Sequence, residues 1–501
     1  MNVRAKIYKN FIISSFSQII TIILAVIIPR FILTGYGSEI NGLLQTIGQL
    51  FAYLSLLEGG IGTVTRQALY KTLSKNDISG TNAILSATNI YYKRIGFIYL
   101  IAVMILGCLY PIVIKSNISP FTIFVIVILH GIGRVISFFF QAKYWMLIQA
   151  EGKNYVKTSL GIGTNILKDV LQIILFSKKC DVILVNCIGV LISLINMLFI
   201  AYYIKKYYKW INLKVKPDFN SISQGKNVVI HKIAHLVFNN TDCLLLSIFC
   251  GLKVVSVYSM YLMLFSMVSV AQGNIGSSIN FSLGQLFHSN KEKFNILYDC
   301  YELFYVTIVF ILYTIANFFI LPFIKLYTSG INDIEYIDRW IPLLFVIFHL
   351  LSSGRNAAYN VIIFAGHFKQ TQFRAVAEMM INLIVSLIGV YFWGIYGVLF
   401  GTIVALLYRA NDIIFYACHK ILKRSVVKSY CRWGINFILF ICITILSNVY
   451  IQVDLGSYFK IAIWFLPYSI LIVIIYFAFM FMIDFETMKN IYCLVLKKSN
   501  R

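Results

Sequence analysis

Acidic side chains are scarce in this chain, nineteen Asp and Glu against forty-three Lys and Arg, and charged residues of both signs make up only 12% of its 501 positions. A soluble domain carries about 25% charge, so the chain falls outside that class, and its 59% hydrophobic content puts it among integral membrane proteins. Proline is scarce too. Seven prolines and thirty glycines exclude a collagen-like chain or a disordered Pro/Gly-rich one. The ten cysteines are scattered, no two are spaced C-x-x-C, and most stand in apolar runs, which makes them small core residues. Period-2 alternation is missing from the apolar runs, which excludes an outer-membrane barrel and leaves an all-α polytopic membrane protein.

Fourteen stretches are long enough to cross a bilayer, at 10–34, 41–64, 95–114, 120–142, 158–177, 182–204, 227–250, 254–280, 301–324, 340–363, 377–394, 396–417, 434–451 and 461–482. The first is too long for a signal peptide and lacks a small-residue cleavage site, so it is expected to stay in the mature chain. With the N-terminus inside, the segments on the inner side hold thirty Lys and Arg and those on the outer side seven. That bias predicts cytoplasmic N- and C-termini and makes most of the net +24 charge topological, with no call for nucleic acid.

The chain contains an internal repeat. Shifted by 214 residues, 37–76 matches 251–290 at nine of forty positions, and Glu58-Gly-Gly-Ile-Gly-Thr63 aligns with Gln272-Gly-Asn-Ile-Gly-Ser277. His130, Arg134, Ser137 and Gln141 share the 4, 3, 4 spacing of His349, Ser353, Asn356 and Asn360, which places each set on one helical face. Paired spans run in the same direction, so the reading is two pseudo-symmetric six-helix lobes plus two extra C-terminal helices. The N-lobe is 1–204 and a basic cytoplasmic linker is 205–226, expected along the inner membrane surface. The C-lobe is 227–417, and spans 13 and 14 with the tail are 418–501.

Six cations fall inside the predicted spans: Arg30, Arg134, Lys168, Lys232, Arg355 and Arg409. Ionisable groups at that depth normally face a bundle interior or a water-filled path. Arg30, Arg134 and Arg355, spread over both lobes, are candidates for holding an anionic group, since a guanidinium forks onto phosphate oxygens. Their rival role is ion pairing with Glu58, Asp169 or Asp242. Lys232 either joins them or snorkels to the interface, and Gln141, Asn356 and Asn360 supply neutral hydrogen bonds from the same faces. In span 7, His231, His235, Asn239 and Asp242 share a face, which makes Asp242 a candidate cation or proton site. Lys168 and Asp169 point to different faces and are not expected to pair, whereas Arg409 and Asp412, at i and i+3, are. The histidines form no zinc-like cluster, and the glycines at 59, 60 and 62 precede no Lys-Ser/Thr, so neither a metal nor a cofactor is expected.

Three segments, Pro29-Arg-Phe-Ile-Leu-Thr-Gly-Tyr-Gly-Ser-Glu-Ile-Asn-Gly42, Leu57-Glu-Gly-Gly-Ile-Gly62 and Leu69-Tyr-Lys-Thr-Leu73, carry a resemblance. Asn240-Thr-Asp-Cys-Leu-Leu-Leu-Ser247 and Val257-Tyr-Ser-Met-Tyr261 extend it into the second lobe. Together they resemble the Wzx-type bacterial polysaccharide flippases of the multidrug/oligosaccharidyl-lipid/polysaccharide exporter superfamily. The resemblance implies a V-shaped pair of lobes that alternates between inward- and outward-open states in the bacterial cytoplasmic membrane. It implies a cargo of undecaprenyl-pyrophosphate-linked oligosaccharide, moved from the inner to the outer leaflet for capsule, O-antigen or exopolysaccharide. It also implies Na+ or H+ coupling, for which Asp242, Glu58 and His235 are the candidates, with membrane lipids, a polysaccharide polymerase and a chain-length regulator as partners. Two rival transporters remain: a flippase for teichoic-acid or peptidoglycan-precursor lipids, and a cation-coupled multidrug exporter of the same superfamily. A membrane enzyme would need catalytic groups on larger outer loops than these, so a transporter is expected.

Overall fold

The computed structural model describes residues 3–222, 229–451, 455–485 and 487, and among them every regular element is a helix. In chain order these are α1 (Val3–Leu54), α2 (Ile61–Ser74), α3 (Ile78–Val113), α4 (Pro120–Ile136), α5 (Ala142–Ala150), α6 (Asn154–Ser177), α7 (Val182–Tyr207) and α8 (Val229–Phe249). There follow α9 (Leu252–Ser289), α10 (Lys291–Tyr327), α11 (Trp340–Gly354), α12 (Asn356–Phe364), α13 (Phe368–Trp393), α14 (Ile395–Tyr416), α15 (Val427–Tyr450) and α16 (Tyr458–Ile483). The chain forms two compact units, Met1–Ser256 and Val257–Arg501.

Twelve stretches among the described residues are long and apolar enough to cross a membrane, against the fourteen expected. Part of the difference lies in α1, where Gly37 has φ 81° and ψ 179°, a left-handed break that glycine takes at little cost. Asn10 bonds to the turn after α5, donating to Gly152 O at 3.1 Å and accepting from Tyr155 N at 2.7 Å. Near Gly37, the Tyr36 hydroxyl donates to Cys180 O and Glu39 accepts from Asn117 N, in the turns at the far ends of α6 and α3. Beyond the Gly59-Gly60 turn, with φ 59° and 76°, Arg66 is back beside Gln149 at 2.6 Å. The first helix therefore crosses, reverses at Gly37 and returns, joining expected spans 1 and 2. Expected span 7 is α8, whose described apolar part is only Leu236–Phe249.

Other helices overrun their expected bounds. The segment 65–94, expected as a cytoplasmic loop, is α2 plus the start of α3, and the 36 residues of α3 extend about 54 Å against a hydrocarbon layer of about 30 Å. Asp77 caps α3 by accepting from Gly80 N at 2.8 Å. The extra turns bury Asn82 and Ser86, which hold the basic linker: Asn82 donates to Trp210 O and accepts from Asn212 N, while Ser86 donates to Leu213 O and Val215 O. Residues 210–218 are thus strapped to α3, where the sequence suggested a segment on the membrane surface.

In the first unit the second half of α1 packs on α8 and the start of α9. The Asn41 amide donates to Ser256 Oγ at 2.7 Å and the Tyr53 hydroxyl lies 2.6 Å from Thr241 Oγ1. Gly42 meets Leu252 so closely that a Cβ there would stand 1.8 Å from its carbonyl oxygen, whereas one at Gly48 would meet nothing within 4 Å. Gly42→Val is expected to cost about 1–3 kcal/mol or more through forced separation of the backbones. Gly48→Val should leave the thermal midpoint of the purified protein unchanged, and similar midpoints for the two variants would remove the close-packing argument.

In the second unit, α13 and α14 meet through Gly389, Gly397 and Gly401, small residues that let membrane helices approach. Expected spans 13 and 14 are α15 and α16, docked on α10. Thr314 of α10 lies 2.8 Å from the Tyr476 hydroxyl of α16, and Ser447 of α15 lies 3.0 Å from that of Tyr468. At one end of these helices Glu302 binds Arg424 at 2.6 Å, Arg432 at 2.7 Å and Ser429 at 2.8 Å, while Arg432 also holds Asp484 at 2.7 Å. Burial pushes the Asp484 carboxyl up, but the hydrogen bonds of Thr487 and Arg432 and the charges of Arg432 and Lys428 outweigh it and hold it below the usual carboxylate range. A carboxyl depressed in the fold stabilises it above the unfolded pKa, and that contribution is lost as pH falls through the folded value. The unfolding midpoints of wild type and Asp484→Asn should therefore differ most at pH 7 and draw together as pH falls below the ordinary carboxylate range; an unchanged gap would count against the pairing.

Candidate functional site

The stripe His130, Arg134, Ser137 and Gln141 runs down α4 into a wide, π-type turn at 137–141, and all four residues line one cavity of about 370 Å³. The far wall is Lys168 and Gln172 of α6 and Asn186, Ser193 and Asn196 of α7. Gln141 is tied down, donating to Ser193 O at 3.1 Å, and His130 stacks on Phe51 with its Nδ1 3.0 Å from Ile126 O. Arg134 is exposed to the cavity and lies within electrostatic reach of the Tyr99 hydroxyl. Lys168 and Asp169 do pair, at 3.3 Å, contrary to expectation: their backbone positions diverge, but the lysine arm is long enough to swing back.

A second cavity in the same unit, about 290 Å³, is lined by Glu58, the Gly59-Gly60 turn, Arg66, Gln149 and Lys157. The Tyr92 hydroxyl donates to Glu58 at 2.7 Å. Lys157 lies within electrostatic reach of Arg66, Glu58 and Arg134, so the two cavities share one basic field. Arg66 and Lys157 escaped the sequence reading because both fall just outside the predicted spans and were counted with the cytoplasmic loops.

The second unit treats its candidates differently. Arg355 is bound at 2.7 Å by Glu378, which also takes Arg409 at 3.3 Å, while Asp412 joins Arg409 at 2.6 Å and Arg374 at 2.5 Å. The pairing expected for Arg409 and Asp412 is present, but Arg355 is a network member whose partner is none of the three acids weighed from sequence. Glu302 and Glu378 also stand inside predicted spans and, with Glu58, Asp169, Asp242 and Asp412, make six acids there, equal to the cations. Asn356 donates to the Tyr305 hydroxyl at 3.4 Å and Asn360 to Asn280 Oδ1 at 2.8 Å, so both are spent on neighbouring helices.

The repeat recurs in the contacts. Phe51 packs against Tyr99 and His130, both at 6.3 Å between ring centres; Phe265 packs against Tyr313 at 6.3 Å and His349 at 5.5 Å. Phenylalanine and tyrosine are offset by 214 and histidine by 219, as in the sequence match. The units differ in charge at matching positions. Tyr99 stands within electrostatic reach of Arg134 where Tyr313 stands beside Ser353, and Glu58 accepts from Tyr92 where Gln272 donates to Tyr305, a tyrosine offset by 213. The charged version of the arrangement belongs to the first unit.

Of the remaining candidates, Arg30 lies on the first half of α1 and lines neither cavity. Asp242 is buried in α8 next to Thr241, the partner of Tyr53. Lys232, His235 and His231 lie on α8, and their side chains are outside those described. Among the described residues no group of His, Cys, Asp and Glu is arranged to hold a metal ion.

No family model matches the sequence and no curated protein matches it. Similar solved structures include the lipid II flippase MurJ in an inward closed conformation, at TM-score 0.69 and 12% identity over 93% of this chain and 98% of that one. An inward-facing multidrug resistance MATE family transporter of the MOP superfamily aligns at TM-score 0.59 and 15% identity, over 85% of this chain and 96% of that one. At these identities the likeness is one of fold.

Proposed function

We propose that the protein is a flippase, a transporter and not an enzyme, that moves undecaprenyl-pyrophosphate-linked oligosaccharide repeat units from the inner to the outer leaflet of the bacterial cytoplasmic membrane. The observation that carries this reading is the basic field of the first unit, with Arg134 and Lys168 on one cavity and Arg66 and Lys157 on its neighbour. Pyrophosphate needs several cations with fork-shaped and point-charge donors together, and these residues provide both. Ser137, Gln172 and Asn196 around the first of these cavities offer the neutral hydrogen bonds that sugar hydroxyls require. Glu58, flanked by Arg66 and Lys157, acts in this scheme as a resident counter-charge that the cargo displaces, which leaves Asp242 as the candidate for Na+ or H+ coupling. Alternating access by two lobes, 1–204 and 227–417 in the division read from the repeat, would carry the cargo across with both termini in the cytoplasm.

The fold itself also serves lipid II flippases and multidrug exporters, so cargo must be argued from the cavity. A cation exporter needs a cavity dominated by carboxylates, and Glu378 and Asp412 of the second unit are already engaged by arginines. Teichoic-acid and peptidoglycan precursors share the phosphate chemistry and differ in the sugar. The test is mass spectrometry of polyprenyl-pyrophosphate lipids from cells depleted of the protein. A completed repeat unit should accumulate on the inner leaflet; an unchanged lipid pool together with new sensitivity to cationic drugs would replace the flippase by the exporter.

A further inference from the structure

A third cavity in the first unit, about 830 Å³, lies between the α4–α5 turn, the end of α7 and the strapped segment after it. Four lysines line it, Lys143, Lys205, Lys209 and Lys214, and its described lining includes no Asp or Glu. Phe140 and Leu198, both strongly exposed, form its apolar side. We propose that this cavity binds an anionic phospholipid of the bilayer, with the phosphate among the lysines and the acyl chains along Phe140 and Leu198.

The lysines are held in place. Lys143 is buried and donates to Asn89 Oδ1 at 2.7 Å, and Lys205 stands in the last turn of α7. Lys209 and Lys214 flank the backbone groups that Asn82 and Ser86 bind, and the Tyr208 hydroxyl between them and α7 is fixed by Glu151 at 2.7 Å. A loop that served only to place positive charge inside would not need buried polar side chains to fix its path. The charge bias puts this end of α7 in the cytoplasm, at headgroup depth, where basic pockets between membrane helices take anionic headgroups. The lysines recognise the phosphate, which free phosphate also carries; the apolar wall is what selects a lipid. The site shares no lining residue with the two cavities proposed for cargo, so it stands whether or not the cargo assignment does.

The test uses the full-length protein in detergent, titrated with dye-labelled phosphatidylglycerol and with phosphatidylcholine carrying the same chains and dye. Wild type should bind the anionic lipid at least tenfold more tightly, and Lys205→Gln/Lys209→Gln/Lys214→Gln should shrink the preference to within twofold. A charge-matched control, Lys71→Gln/Lys75→Gln/Lys291→Gln, should keep it. If the triple variant does not fold, Lys209→Gln/Lys214→Gln, outside any helix, carries the same expectation of a reduced preference. Retention of the preference in the cavity variant, or equal loss in the control, would overturn the site. Displacement of the labelled lipid by glycerophosphate at equal concentration would overturn its assignment to a lipid.

Discussion

Arg134→Ala should reduce export of the lipid-linked cargo roughly ten- to hundredfold while leaving protein abundance and thermal midpoint near wild type. The size follows from the loss of a charge-assisted hydrogen bond, about 1.5–3 kcal/mol. The preserved stability follows from position, because Arg134 is exposed to the cavity and its nearest polar neighbour is the Tyr99 hydroxyl, not a buried carboxylate. Arg134→Lys should recover only part of the activity, since an ammonium keeps the charge but loses the fork. The measurement is surface accumulation of the exported polymer, normalised to membrane-embedded protein. Wild-type export by the alanine variant would remove the basic-field argument. Arg355→Ala tests the same logic from the other side: its guanidinium is held by Glu378, so its loss should act through stability before it acts on cargo.

Glu302→Gln should be the most destabilising single substitution among those considered, at about 3–5 kcal/mol. Its side chain is 5% exposed and faces Arg424 and Arg432, the latter 3% exposed. Removing the negative charge leaves the buried Arg432 and the half-buried Arg424 each short of one partner, and desolvation of an under-compensated cation costs more than the original pair contributed. The double variant Glu302→Leu/Arg432→Met should lose less than the sum of its singles, because removing both partners leaves less uncompensated charge. Thermal and denaturant unfolding in detergent will show this, and a Glu302→Gln midpoint within a degree of wild type would mean that water reaches the cluster.

Much of the fold can be read from the sequence, because the property that defines membrane helices, a long apolar run, is a local one. The stripe from His130 to Gln141 is equally local: a helical face follows from spacing alone, and the structure brings all four residues to one cavity. Partners distant in sequence are not readable in this way. Glu378 is 23 residues from Arg355 and on another helix, so the arginine looks available until the helices are packed. The remainder of α2 and the start of α3 are not legible because polar helix outside the membrane leaves no hydropathy signal, and with them goes the strap on 210–218. Arg66 and Lys157 were missed for a related reason: a cation one turn beyond a span end looks topological, although a long side chain reaches back into the protein.

The packing of α1 on α8 sets an order of events during synthesis. Asn41 finds Ser256, and Tyr53 finds Thr241, only after some two hundred further residues have left the ribosome. Until then the polar face of the first hairpin sits in the bilayer without those partners, and an unsatisfied polar group in hydrocarbon is costly. The nascent hairpin therefore needs shelter, from the translocation machinery or an insertase, for the time it takes to translate half the protein. A chain interrupted before α8 would present that face to lipid permanently, which marks it for membrane proteolysis.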